Sequence, residues 1–323
     1  MPLKIYVDFA LGPKPLELLK KGVGAHQLLL PSKPAASVLT KPEVDPSFYQ
    51  ADIAFGQPDL EAIDKAESLK WIQINTSGIT AFDTPGFREK MEKRSIPVCN
   101  SANVYNEACA DHLFAFMLAQ SRRLVEGLAS QAANGSPEWL KLRSDSGSLK
   151  GQSALILGYG AIGSRLVELL APFRMNVTAY RRKARGDEPI PVVGPNELSS
   201  ELAKADHVIN ILPDSEATKD FFDAARFSDC KKGSVFYNIG RGTTVDQKAL
   251  EVALTSGQLK EAWLDVTNPE PLPAEHPLRA LANCYITPHI AGGYLGESEG
   301  CVQHFLDNLK RFENGETLVN RVM

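Results

Sequence analysis

Leu155-Ile156-Leu157-Gly158-Tyr159-Gly160-Ala161-Ile162-Gly163 reads as a buried strand that runs into G-x-G-x-x-G and then into a helical stretch, Ser164–Ala171. Each glycine has its own physical use. Gly158 makes the tight turn, Gly160 lets the backbone approach a pyrophosphate with no Cβ in the way, and Gly163 allows the helix to lie close on the strand. The helix start, through the free N–H groups around Ala161 and Ile162, offers partial positive charge to that anion. A glycine-rich turn without function is the competing reading, and the strand before and helix after weigh against it.

Working outward, short apolar runs alternate with helical stretches along the whole chain, the pattern of parallel sheets covered by helices on both faces, so the fold class is α/β. Before the loop, strands are expected near Lys4–Val7, His26–Leu30, Asp52–Phe55, Lys70–Ile74 and Pro97–Cys99, with helices near Pro15–Lys21, Asp59–Ala66 and Pro85–Lys93. One long helix is expected from Tyr105 to about Ala133. The second run of alternation predicts strands near Ser153–Leu157, Asn176–Tyr180, Asp206–Ile211, Ser234–Asn238, Glu261–Leu264 and Asn283–Thr287, six in all, as in a dinucleotide-binding sheet. A last helix, Tyr294–Phe312, has no strands of its own and must pack on a unit already formed.

The 323 residues are enough for one or two domains with real cores. Lys plus Arg total 35 against 39 Asp plus Glu, a net charge of −4, so no global positive field draws nucleic acid or anionic membrane. The five cysteines are scattered with no CxxC pair, which argues against a disulfide framework and a metal site. No apolar run reaches the ~18 residues of a membrane span. The opening Met1-Pro2-Leu3-Lys4-Ile5 shows no secretory signal, and the expected location is the cytoplasm.

Eighteen residues beyond Gly163, where an NAD site normally carries an acid for the ribose 2′-hydroxyl, stands Arg181, followed by Arg182-Lys183-Ala184-Arg185. Guanidinium forks match a 2′-phosphate in charge and shape, so NADP(H) is favoured over NAD(H), which stays possible. A solvated basic turn is the alternative. Three polar segments follow predicted strands of the same sheet: Asn238-Ile239-Gly240-Arg241-Gly242, Leu264-Asp265-Val266-Thr267-Asn268-Pro269-Glu270 and Ile286-Thr287-Pro288-His289-Ile290-Ala291-Gly292-Gly293. An Arg can hold a carboxylate bidentately and polarise an adjacent carbonyl, a His can protonate the oxygen as hydride reaches carbon, and a Glu can orient the imidazole and favour its charged form. Arg241, Glu270 and His289 therefore form the candidate catalytic set.

At these residues the chain resembles the D-isomer-specific 2-hydroxyacid dehydrogenases, which include glyoxylate/hydroxypyruvate reductases. The resemblance covers most of the chain, from Asn75-Thr76-Ser77-Gly78-Ile79 to the C-terminal helix. It implies that Arg241 binds the substrate carboxylate and carbonyl, that His289 is the general acid/base with Glu270 as partner, and that Ser77 and Gly78 present backbone N–H groups to the carboxylate. It places Leu212, Pro213, Thr218, Ile239 and His289 along the cofactor and Asp265 on the nicotinamide carboxamide. It further implies a flavodoxin-like catalytic domain, residues 1–101 plus 292–323, a Rossmann domain inserted as residues 102–291, a small 2-keto or 2-hydroxy acid as substrate, and a homodimer through the Rossmann domain. The chain departs from the family at Arg181, at Gly78-Ile79-Thr80, at Ala110-Asp111-His112 and at Tyr294-Leu295-Gly296-Glu297. A dinucleotide-sensing, corepressor-like scaffold on the same fold, with little turnover, is the alternative function.

Overall fold

The computed structural model describes residues 2–35 and 43–323. The chain divides into two compact units, Met1–Tyr105 with Gly293–Met323, and Asn106–Gly292. The divisions fall at Asn106 and Gly293, where the sequence placed them at 102 and 292.

The first unit opens with β1 (Lys4–Val7), α1 (Pro13–Gly22), β2 (Gln27–Leu29), β3 (Ile53–Gly56), α2 (Leu60–Lys65), β4 (Trp71–Ile74), α3 (Pro85–Lys93) and β5 (Val98–Cys99). Among the described residues its five parallel strands lie in the order β2-β1-β3-β4-β5, the flavodoxin-type order with a reversal beside β1. β3 and β4 are buried at every residue, as strands covered on both faces must be. Asp59 and Thr84 start α2 and α3 by accepting backbone N–H groups of the first turn.

α4 (Ala102–Ser121) contains the division between the units. It stops where the sequence predicted continued helix to Ala133. Arg123 takes a left-handed conformation (φ 52°), and the chain restarts as α5 (Leu124–Ser130). The guanidinium of Arg123 is bound there by Glu126 and by the buried Glu261, a tertiary ion-pair cluster that fixes the break.

α6 (Pro137–Asp145) leads to β6 (Ser153–Leu157), α7 (Ala161–Leu170), β7 (Asn176–Tyr180), β8 (Val192–Val193), α8 (Leu198–Leu202), β9 (His207–Asn210), α9 (Ala224–Asp229), β10 (Ser234–Asn238), α10 (Gln247–Thr255), β11 (Leu259–Leu264), α11 (Pro277–Ala280) and β12 (Cys284–Ile286). The parallel sheet has seven strands, one more than expected, in the order β12-β11-β10-β9-β6-β7-β8. Numbered within the unit this is 3-2-1-4-5-6 with a seventh strand, so the order in which strands are added reverses between β6 and β9, the place where such sheets bind dinucleotides. The added strand is β8, a two-residue edge pairing with β7.

The last helix, α12 (Glu297–Glu313), starts three residues later than predicted, after Gly296 at φ 99°. Its Phe305 stacks on Phe55 of β3 at 4.4 Å and on Trp71 of β4 at 5.2 Å, which is how the orphan helix joins the first sheet. Among the described residues, no helix is long and apolar enough to cross a membrane.

Candidate active site

The glycine loop has the geometry its letters suggest. Gly158 sits at φ 100°, and a Cβ there would lie 2.7 Å from the Ile211 carbonyl oxygen; a Cβ on Gly163 would lie 2.8 Å from the Gly158 oxygen. Those two glycines are demanded by the chain's own packing. Gly160 is different, because a Cβ there would meet nothing within 4 Å. It is the N-cap of α7 and supplies no capping side chain, so the first-turn N–H groups at Ala161 and Ile162 have no intrahelical partner. Open space in front of positively polarised N–H groups fits a dinucleotide pyrophosphate.

Arg181 follows β7 and is tied by main chain and side chain. Its N–H donates to the Val193 oxygen at 3.1 Å, and its Nη1 donates to Glu188 Oε1 at 3.1 Å. Glu188, 7% exposed in its side chain, also accepts the N–H groups of Arg185 and Gly186, both at 2.8 Å. The Arg185 amide is the chief reason its carboxyl is pulled down to about 2, with the Gly186 amide and Arg181 adding to it. The basic turn is thus closed on itself by a carboxylate that sequence reading missed, although it stands only three residues past Arg185. Arg182 is exposed. Leu212 is buried, and the Thr218 hydroxyl donates to the Pro213 oxygen at 2.6 Å, closing the loop after β9; Ile239 is buried after β10.

Arg241 is held on its loop by two buried asparagines. Asn238 Nδ2 donates to the Arg241 oxygen at 3.2 Å and Asn238 Oδ1 accepts the Gly240 N–H at 3.0 Å, while Asn210 Nδ2 donates to Asn238 Oδ1 at 3.1 Å. Arg241 Nη1 donates to the Gly240 oxygen at 2.7 Å. The next residue, Gly242, has no room for a side chain: a Cβ there would lie 1.9 Å from the Thr267 oxygen, on the loop that carries Glu270. Glu270 Oε1 in turn accepts the Thr267 N–H at 2.9 Å, and its Oε2 lies 2.8 Å from His289 Nδ1.

His289 is 36% exposed in its side chain, at φ 52°, with its N–H donating to the Asp265 oxygen at 2.9 Å and the Thr287 oxygen at 3.0 Å. The hydrogen bond to Glu270 raises its pKa above the ordinary imidazole value; burial and Arg241 oppose that shift, and the charges of Glu270 and Asp265 add to it. Burial works against the charge of Glu270, yet the bonds from His289 and Thr267, together with Arg241, hold its carboxyl below the usual range. Arg241, Glu270 and His289 therefore act on one another electrostatically within one unit.

Asp265, 2% exposed, organises the same turn. Its Oδ1 accepts the Thr287 hydroxyl at 2.6 Å and the Ile290 N–H at 2.9 Å, and its Oδ2 accepts the Ala291 N–H at 2.9 Å. Both oxygens thus carry donors from the His289 loop, a role that spacing in the sequence does not disclose.

Ser77 and Gly78 follow β4 in the first unit. Asn100 Nδ2 donates to the Ser77 oxygen at 2.7 Å and the Thr76 hydroxyl to the Gly78 oxygen at 2.8 Å, which fixes the orientation of that loop's peptides.

The remaining histidines other than His112 have structural partners. His26 Nδ1 accepts the Leu3 N–H, His207 lies between Tyr237 and Gln152, His276 caps α11, and His304 bonds the Asn100 oxygen. Among the described residues, no group of three or more His, Cys, Asp or Glu is placed to hold a metal ion.

Comparison with known proteins gives this geometry its context. The model of the D-isomer specific 2-hydroxyacid dehydrogenase NAD binding domain matches residues 114–291, within the seven-stranded unit. The glyoxylate reductase/hydroxypyruvate reductase of Homo sapiens is 33% identical over 281 residues, 86% of this chain and 78% of that one. A glyoxylate reductase of Thermococcus kodakarensis is 32% identical, covering 81% of this chain and 80% of its own. Among solved structures, a D-isomer specific 2-hydroxyacid dehydrogenase family protein of Aeromonas salmonicida superposes with a TM-score of 0.80 at 26% identity, covering 100% of this chain and 99% of that one. The α/β architecture, with an NAD(P)-binding Rossmann unit, is shared with these oxidoreductases, and the relatives point to reductases and not to the sensing scaffold. The chain belongs to the D-isomer specific 2-hydroxyacid dehydrogenases.

Proposed function

We propose that the protein reduces small 2-keto acids of the size of glyoxylate or hydroxypyruvate to D-2-hydroxy acids, with NADPH preferred over NADH. The observation that carries this reading is the 2.8 Å pairing of His289 with Glu270 in a site where Arg241 acts on both. The relatives' names support the substrate size.

A dihydronicotinamide, when bound, would supply a hydride equivalent for C2 of the keto acid. Arg241 pairs with the substrate carboxylate and polarises the carbonyl, stabilising the charge that grows on its oxygen. Ser77 and Gly78, on the loop after β4, are assigned as backbone N–H donors for a substrate carboxylate. His289, kept protonated by Glu270, hands its proton to that oxygen, which becomes the hydroxyl. In the oxidative direction the neutral imidazole takes the proton back. Gly158, Gly160 and Gly163, with the N–H groups of Ala161 and Ile162, receive the pyrophosphate, and Leu212, Pro213, Thr218 and Ile239 line the cofactor. Asp265 serves the nicotinamide carboxamide and also fixes the His289 turn.

Arg181 and Arg182 take the 2′-phosphate. The Arg181→Asp, Arg182→Ala double variant is expected to lower the kcat/KM ratio of NADPH to NADH by about 10²- to 10⁴-fold, since two charge-assisted contacts of ~1.5–3 kcal/mol each are lost. An unchanged ratio rejects the assignment. The test of the reaction is the loss of reduced-nicotinamide absorbance when NADPH, and separately NADH, meets a panel of 2-keto acids from glyoxylate to phenylpyruvate. Turnover with a small acid supports the reading, and silence across the panel despite NADPH binding overturns it.

The protein is further proposed to act in the cytoplasm as a homodimer through its Rossmann unit. Leu124, Val125, Leu128 and Leu140 of that unit are exposed on α5 and α6, beside a cavity of about 230 Å³ lined by Trp139, Arg143 and Leu142. Trp139 has the Arg143 guanidinium 5.0 Å from its ring centroid. Sedimentation equilibrium is expected to give twice the chain mass, falling to the chain mass in Leu124→Asp, Leu128→Asp; a monomeric native protein rejects this.

A further inference from the structure

The long helix α4 sends one side chain to the His289 turn. His112 Nε2 lies 3.3 Å from the Thr287 hydroxyl oxygen, and its ring packs edge-on against Phe116 at 4.4 Å, which itself packs on Trp263 of β11. The Thr287 hydroxyl has one hydrogen, and at 2.6 Å it is given to Asp265 Oδ1. Its oxygen can then only accept, so His112 Nε2 carries the proton and donates it. A directional chain results, His112 to Thr287 to Asp265, ending on the carboxylate that accepts the Ile290 and Ala291 amides on the far side of His289.

We infer that His112 is a positioning residue for the reduction: through Thr287 and Asp265 it holds the turn that presents the His289 imidazole. The inference rests on the reading of His289 as the proton donor. The His289 backbone stands at φ 52°, a conformation few non-glycine residues adopt without support, and its N–H is bonded to Asp265 as well. The support comes from around Asp265, and His112 is the member of that chain furthest from the turn. Burial lowers the His112 pKa, against the pull of Asp265, so the ring stays neutral at pH 7 and retains one donor and one acceptor nitrogen. Its function here is thus that of a hydrogen-bond donor and not of a charge.

The experiment compares kcat and KM for the best keto acid of the panel, with NADPH, in the native protein and in His112→Ala, Thr287→Val, the two combined, His112→Gln and His289→Ala. His112→Ala and Thr287→Val are each expected to lower kcat roughly 10-fold with KM for the acid little changed, because a slightly misplaced proton donor slows the chemical step without weakening the carboxylate clamp. Both cut one chain, so the double variant is expected to lose roughly the same 10-fold and not the ~100-fold of independent sites. His112→Gln places an amide N–H near the lost Nε2–H and is expected to restore most of kcat. Native kcat in His112→Ala, additive losses in the double variant, or a His112→Gln as slow as the alanine variant each overturns the inference. Should His112→Ala not fold, Thr287→Val and His112→Gln decide it by the same kcat criterion. Retained turnover in His289→Ala would instead overturn the underlying assignment of the proton donor, so the two failures are told apart.

Discussion

His289→Ala is expected to lower kcat for keto-acid reduction by about 10²- to 10⁴-fold, the range a positioned acid/base contributes, while NADPH still binds. The hydrogen bond between His289 and Glu270 lifts the imidazole pKa above its ordinary value. The sign of the pH dependence follows. Reduction needs the imidazolium, so its rate is full below the raised pKa and falls as pH rises through it; oxidation of the hydroxy acid needs the neutral ring and rises over the same interval. In Glu270→Gln the stabilising carboxylate is gone while burial and Arg241 still disfavour the cation. The falling limb of reduction is then expected to move to lower pH. Stopped-flow turnover of His289→Ala within a few fold of native, or an unmoved limb in Glu270→Gln, would remove the pair from the mechanism.

Arg241→Ala is expected to cost about 10³-fold in kcat/KM for the keto acid, expressed in both constants. On the proposed reading, one guanidinium would serve both the carboxylate, where its loss would raise KM, and the developing oxyanion, where its loss would lower kcat. Arg241→Lys keeps the charge and loses the planar fork, so it is expected to recover only part of the activity. Steady-state kinetics of both variants with the native protein's best substrate are the check. A kcat/KM for Arg241→Ala within 10-fold of native would show that the clamp lies elsewhere.

What the sequence disclosed follows from the range of the forces involved. The phosphate loop and the strands around it were legible because their determinants are local: continuous apolar runs, three glycines at fixed spacing, and a helix starting at once. Arg241, Glu270 and His289 drew attention because they follow β10, β11 and β12 and so lie toward the carboxyl edge of the sheet. The break at Arg123 was not, since Leu124, Val125 and Leu128 continue a helical pattern and the positive φ is fixed by Glu261, far along the chain. β8 was hidden because two valines between Pro191 and Gly194 carry no strand periodicity. The chain from His112 through Thr287 to Asp265 joins three ordinary residues from three elements, and only the folded backbone brings them together. Glu188 lay just past the basic run that drew attention to Arg181.

The close approach of Gly242 to the Thr267 carbonyl has a meaning for how this enzyme could be altered. The spacing between the Arg241 loop and the Glu270 loop is set where two stretches of main chain meet without side chains between them. Directed evolution, which exchanges side chains, has no graded way to adjust that gap: every replacement of Gly242 inserts a Cβ and forces both loops apart together. The separation of the Arg241 and Glu270 loops therefore behaves as a fixed gauge inherited by every variant that still folds.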